Sequence, residues 1–187
     1  MAELGFEHFT IKKLGKRISS PEASIYRYFE SKHKLLLYTT SWYWGWMEYQ
    51  VVFALANINS PEERLKKAIE MLTGELPEMK EYPHINSKNL YHIIVSESSK
   101  SYLHKEVDAE NNNGVFLGYK RIVGRISEII LEISPKFNYP HMLISTIVEG
   151  ANHQRYFAEH LPRLTDTIDG KDAIHDFYVE LVFKAIK

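Results

Sequence analysis

The run from Phe9 to Lys32 constrains this chain more than any other stretch, because it admits one local geometry: two short helices joined by a tight turn, with a third beginning directly after. Thr10 is placed to cap a helix whose apolar residues Ile11, Leu14 and Ile18 recur at helical spacing. Ser20 is expected to cap a second helix with Pro21 at its first position, where a missing N–H costs nothing. Ile25 and Phe29, four apart, give that helix an inward stripe and leave Ser24, Arg27 and Tyr28 pointing elsewhere. A short helix turning small, polar and aromatic side chains outward, held at an angle by its neighbour, is the pattern of a helix-turn-helix.

Residues Thr10 to Lys32 resemble the DNA-binding motif of the TetR family of bacterial transcriptional repressors. In that family a Thr opens the second helix and the recognition helix ends in an aromatic run, here Ile25-Tyr26-Arg27-Tyr28-Phe29. A Lys follows three residues later (Lys32), and a Leu pair (Leu35, Leu36) enters the fourth helix. The spacing from Thr10 to Phe29 fits without a gap, and the resemblance covers about the first quarter of the chain. The family usually has Gly-Val-Ser in the turn, where this chain has Ser19, Ser20 and Pro21. Family members also carry a full helix before the Gly-Phe pair. Here Gly5-Phe6 follows only Met1-Ala-Glu-Leu, so a truncated first helix is expected.

The resemblance implies that Thr10, Tyr26, Tyr28 and Lys32 belong to the DNA-binding surface, with Tyr26 and Lys32 on phosphates. Glu22, Ala23, Ser24 and Arg27 occupy the positions from which base edges are reached. An Arg can pair with guanine, a Glu can accept from cytosine, and an Ala can meet a thymine methyl. The charge pattern agrees. Residues 1–41 hold seven Lys or Arg against four Glu, a balance of +3 within a chain of net charge −1, which leaves −4 for the rest. A basic head on an acidic body suits phosphate contact by one end.

Beyond Lys32 the chain of 187 residues reads as helices throughout. Residues 32–55 are apolar on nearly every side, with Trp42 and Trp46 sharing a face and Trp44 pointing away. Ser60-Pro61-Glu62-Glu63 is a capping box opening a helix with Leu65, Ala68, Ile69 and Leu72 inward. Leu76–Pro83 reads as a connector, and a single helix is expected from Ser87 to Tyr102 with Leu90, Ile93 and Ile94 inward. Asp108–Gly114, with three consecutive Asn, reads as a loop. Val115, Tyr119, Ile122, Ile126, Ile129 and Ile133 are spaced 4-3-4-3-4, the pattern of a long bundle helix. Two more helices follow, about 140–160 and 171–185. The expected fold is all-α: a helix-turn-helix head over residues 1–34 on a larger antiparallel helical domain, 35–187, for ligand binding and dimerisation.

Several chemistries are not supported by the sequence. There are no cysteines, so disulfides and thiolate metal sites are excluded. No apolar run of about 18 residues and no charged-then-apolar leader occurs, which points to a cytoplasmic protein. Phosphate-binding glycine loops and nucleophile-elbow motifs are absent, so neither a cofactor nor an enzyme is expected. Glu149, His153, Tyr156 and His160 share a helix face at 4-3-4 spacing, but one helix supplies too few converging ligands for a metal. The pairs Glu30…His33 and Glu81…His84 lack the long core helices that a carboxylate-bridged metal bundle needs.

The sequence therefore points to a ligand-responsive DNA-binding regulator, a repressor released from its operator by a small hydrophobic ligand. Its rival is a helical ligand-binding or scaffolding protein that no longer binds DNA. Family resemblance implies a homodimer on a palindromic operator. Two-sided apolar helices at the chain's end place the dimer interface at Ile144, Ile147, Val148, Ala151, Ile174, Phe177 and Leu181. Surplus aromatic volume places the ligand among the helices about 35–55, 87–102 and 115–134, with Trp42, Trp46 and Tyr91 as walls.

Overall fold

A computed structural model describes residues 1–74, 79 and 82–187. Its helices are α1 (Gly5–His8), α2 (Ile11–Arg17), α3 (Glu22–Tyr26), α4 (Lys32–Leu55), α5 (Pro61–Thr73) and α6 (Ser87–Glu97). They continue as α7 (Ser99–Tyr102), α8 (Val107–Asn112), α9 (Leu117–Ile133), α10 (Pro140–His160) and α11 (Ala173–Ala185), with a short 3-10 turn at Pro162–Leu164. Among the described residues there is no strand, only one isolated bridge between Ile168 and Lys171. The protein is all-α. None of the described helices is long and apolar enough to cross a membrane.

Backbone contacts divide the chain into two units, Met1–Trp44 with Pro77–Leu117, and Gly45–Leu76 with Gly118–Lys187. The first holds α1–α3, the start of α4, and α6–α8. Its small head core is Phe9, Ile11 and Ile25, with Leu14, Phe29 and Leu35 packed against it. In the second unit α5, α10 and α11 pack on one another. The stripe Leu65, Ala68, Ile69 and Leu72 of α5 is buried, as its spacing predicts. Gly150 of α10 faces Tyr178 of α11 so closely that a Cβ there would collide with the phenol hydroxyl. Arg155 of α10 donates from Nε and Nη2 to the Thr73 carbonyl at the end of α5, at 2.9 and 2.7 Å, and Nη2 also reaches Asp172. Asp172 caps α11 by accepting the His175 N–H at 3.1 Å. One guanidinium thereby ties three helices together.

Local signals for helix starts hold at several ends. Thr10 accepts the Lys13 N–H at 3.2 Å, Ser60 the Glu63 N–H at 3.2 Å, and Asn86 the Asn89 N–H at 2.9 Å. Pro61 sits in the first turn of α5 and Pro140 in that of α10.

Three expectations need correction. Pro21, not Ser20, is the cap residue of α3, and no side chain caps that helix. The turn before it uses Ser19 in a left-handed conformation, φ 54°, and brings the Ser20 N–H to the Gly15 carbonyl at 2.9 Å. A Cβ at Gly15 would lie 2.6 Å from the Ser20 oxygen, so the turn requires glycine there. The expected helix Ser87–Tyr102 is assigned as α6 and α7, with Ser98 between them, and Ile93 on it is only half-buried.

The segment Asp108–Gly114, expected as a loop, is not one: α8 runs over Val107–Asn112 and stops at Gly114, whose φ of 82° only glycine adopts freely. The Asn run has poor helix propensity, but burial of Glu110 at 2% exposure fixes this turn of helix from outside the segment. The connector expected at Leu76–Pro83 falls on residues outside the described set apart from Met79, Tyr82 and Pro83.

Candidate nucleic-acid interface

The head builds its outer surface on α2 and α3. Ile11 faces inward from α2 and Ile25 from α3, with 3% and 6% exposure, and Phe29 follows onto the same cluster. Helical geometry then turns Glu22, Ala23, Tyr26 and Arg27 outward, and all four are exposed. Ser24 is half-buried. Tyr28 lies in the turn after α3 and is 83% exposed. Thr10 is exposed at the cap of α2, and Lys12, Lys13, Lys16 and Arg17 are exposed along that helix. Of these, Lys13 donates from Nζ to the His8 carbonyl at 2.8 Å, and Arg17 lies 3.6 Å from Glu3.

Lys32 is less free than its sequence position suggests. Its ammonium donates to the carbonyls of Phe6 at 2.8 Å and Glu7 at 3.3 Å, and sits 4.4 Å from the Phe6 ring centroid. It therefore satisfies carbonyls of α1, and the start of α4 is bolted to α1.

Residues that sequence reasoning passed over make the next connection. Glu97, the last residue of α6, is 6% exposed and accepts the Phe6 N–H at 2.8 Å. Lys100 donates to the same carboxylate at 2.6 Å, lies 3.5 Å from Glu7, and sits 5.4 Å from the Phe6 ring. The bond to Glu97, with burial acting against it, raises the Lys100 ammonium above its ordinary value. The only trace of this in the sequence is a Glu and a Lys three apart at a helix end, which reads as a solvated pair. Its partner lies 91 residues away.

Trp42 is half-buried and meets Tyr82 edge-on at 5.4 Å between centroids. Trp44 and Trp46 are both more buried than Trp42, at 4% and 8% exposure, so Trp44 does not point away from the interior. Burial pushes the Tyr43 phenol well above its ordinary pKa, and the Tyr91 phenol adds to the shift. A separate cleft of about 490 Å³ opens between the end of the recognition turn and α8, bordered by Tyr28, Phe29, Lys34, Tyr38 and Glu110.

Of the residues expected at a dimer interface, Ile144, Ile147, Val148, Ala151 and Ile174 are 0–7% exposed and belong to the protomer's own core. Phe177 and Leu181, at 55% and 38%, share the outward face of α11. On α10 the exposed residues include Met142, Thr146, His153, Tyr156 and His160.

A comparison with curated proteins finds no match. Residues 1–39 match the family model described as bacterial regulatory proteins, tetR family. The matched segment contains the capped α2, the tight turn, the outward face of α3 and the first turn of α4. The N-terminal region of this chain is accordingly similar to the helix-turn-helix head of the tetR family of DNA-binding transcriptional regulators.

Proposed function

We propose that the protein is a homodimeric repressor that leaves its operator when a small hydrophobic ligand binds the helical domain, residues 35–187 carrying that role and residues 1–34 the DNA contact. The observation that carries this reading is the bond from the Phe6 N–H to Glu97, which fastens the head to the C-terminal end of α6. Tyr91 lies in that same helix, beside the aromatic start of α4. A ligand that wedges against Tyr91 and Trp42 shifts α6 along its axis or rotates it. Glu97 then drags Phe6, and through Lys32 the start of α4 moves with it. Derepression is the resulting coupling free energy between two sites.

On DNA, Tyr26, Tyr28 and Lys32 contact phosphates while Arg27, with Glu22, Ala23 and Ser24, faces base edges. Thr10 anchors the entry of α2 near the backbone. Two heads about one DNA turn apart match a palindrome. Phe177 and Leu181 supply the apolar centre of the dimer contact.

The test is selection of duplexes from a random pool by the full chain at low salt. An inverted-repeat consensus is expected, with binding weakened by hydrophobic compounds that also quench Trp fluorescence. Retention of all sequences equally, or of none, would overturn the operator reading in favour of a ligand-binding or scaffolding role.

A further inference from the structure

Directly behind the head, two histidines and one buried carboxylate converge. Glu110 of α8 is 2% exposed. His104 Nε2, from the turn between α7 and α8, lies 2.8 Å from its Oε2, and His33 Nε2, from the first turn of α4, lies 3.6 Å from its Oε1. One donor atom from each of the three residues falls within 4.8 Å of the others. The two imidazoles meet edge to face with centroids 4.4 Å apart.

We propose that His33, His104 and Glu110 form a binding site for a divalent first-row transition metal of the zinc class, joining the first turn of α4 to the α7–α8 segment. Two imidazole nitrogens and one carboxylate are the ligand set that such ions take with an open fourth position, and magnesium or calcium would require more oxygen ligands.

A purely ionic reading of the cluster is incomplete. Lys34 donates to Glu110 Oε1 at 3.1 Å and satisfies that atom alone. Among the described residues, the buried atoms Glu110 Oε2 and His33 Nε2 make no aligned hydrogen bond. Unmet buried polar atoms are costly, and here a carboxylate oxygen and an imidazole nitrogen face a common centre. A metal satisfies both at once. Lys34 must then give way, and its side chain, 41% exposed, can swing into solvent. The adjoining cleft, which borders both Lys34 and Glu110, supplies an entry path.

The metal also sets a condition on His104. Its Nδ1 accepts the Glu106 N–H at 3.2 Å, so the proton sits on Nε2, where the Ser101 carbonyl accepts it at 3.1 Å and Glu110 Oε2, 2.8 Å away, lies out of line. Coordination through Nε2 moves the proton to Nδ1, which can then no longer accept the Glu106 N–H, a loss small beside metal–ligand bond formation.

The experiment titrates Co2+, then Zn2+, into the full chain, without DNA. One equivalent of Co2+ should give the visible absorption of a four- or five-coordinate ion, and Zn2+ should bleach it. Zn2+ about a hundredfold above its Kd should raise Tm by about 5–10 °C. His33→Ala and His104→Ala should each abolish the absorption and the shift, whereas His153→Ala, on exposed α10, should change neither. Should a variant misfold, carbethoxylation of histidines in the unaltered chain decides: Zn2+ should protect His33 and His104 and leave His153 reactive. Octahedral-type spectra only, absorption that survives both variants, or equal reactivity of His33 and His104 with and without Zn2+ would overturn the site. Because no step involves DNA or the proposed effector, failure here is distinct from failure of the repressor reading.

Discussion

Glu97, at the end of α6, holds the backbone N–H of Phe6 at 2.8 Å across 91 residues of chain, and Lys100 braces the same carboxylate at 2.6 Å. Removing this acceptor leaves a part-buried N–H unpaired, which costs about 1–3 kcal/mol. Glu97→Ala should expose the Phe6 amide to hydrogen exchange and loosen α1. Glu97→Gln, which keeps an acceptor oxygen, should retain most of the protection. Equal exchange in the two variants would show that the carboxylate's charge, and not the bond to Phe6, secures the head.

Lys32 has two duties on this reading. Lys32→Ala should lower Tm, because the Phe6 and Glu7 carbonyls lose their donor, and should also reduce the salt slope of DNA binding by about one unit. A lower Tm with an unchanged slope would make Lys32 a brace for α1 with no phosphate contact. Tyr26→Phe should weaken all sequences alike by about 1 kcal/mol. Arg27→Ala should cost about 1–3 kcal/mol at particular operator positions, and equal losses on operator and random DNA would demote it to a phosphate contact.

Ser19 sits at φ 54° in the turn between α2 and α3. A left-handed conformation strains a residue that carries a Cβ. Ser19→Gly should therefore stabilise the head by about 0.5–1 kcal/mol, the relieved strain exceeding the entropy that glycine adds to the unfolded chain. Urea melts followed by Trp fluorescence and by amide exchange in α2 would register it, and a destabilised variant would refute it.

At the junction of α5, α10 and α11, burial alone would raise the Asp172 carboxyl. The Arg155 guanidinium and the His175 N–H outweigh it and hold the group below its ordinary value. A depressed folded-state pKa gives stability that is present above the unfolded value and lost as pH falls through the folded one. Urea midpoints should therefore fall on acidification from about pH 5 downward, and less steeply in Asp172→Asn. Arg155→Ala removes the donors to Thr73 and should cost about 2 kcal/mol. Identical pH profiles for Asp172→Asn and the unaltered chain would refute the assignment.

Phe177→Lys and Leu181→Lys place charges on exposed positions of α11, so the protomer core should survive them. Folded monomers by light scattering, with unchanged helicity by circular dichroism, are expected at micromolar concentration. Persistent dimers in both variants would move the contact to another face.

The residues that spoke plainly in the sequence did so through short-range geometry. Thr10 and Ser60 cap because their side chains reach an N–H three residues on, whatever the rest of the chain does. The spacing of Ile122, Ile126 and Ile129 specifies one face of α9, and Ile25 with Phe29 specifies the inward face of the recognition segment. These local rules sufficed for an all-α fold with a helix-turn-helix at its start.

Tertiary structure decided whatever depended on a distant partner. The Asn-rich run became a helix because Glu110 is buried among residues of α4 and the α7–α8 turn. His33 finds its carboxylate 77 positions later at Glu110, not at Glu30 in its own neighbourhood. Ile144, Ile147 and Val148 look available for a partner until α5 and α11 pack around α10, after which they are buried while Phe177 and Leu181 remain outside. Periodicity states that a face is apolar. Which surface covers that face, and which buried charge meets which counter-charge, is settled by long-range packing that no local window contains.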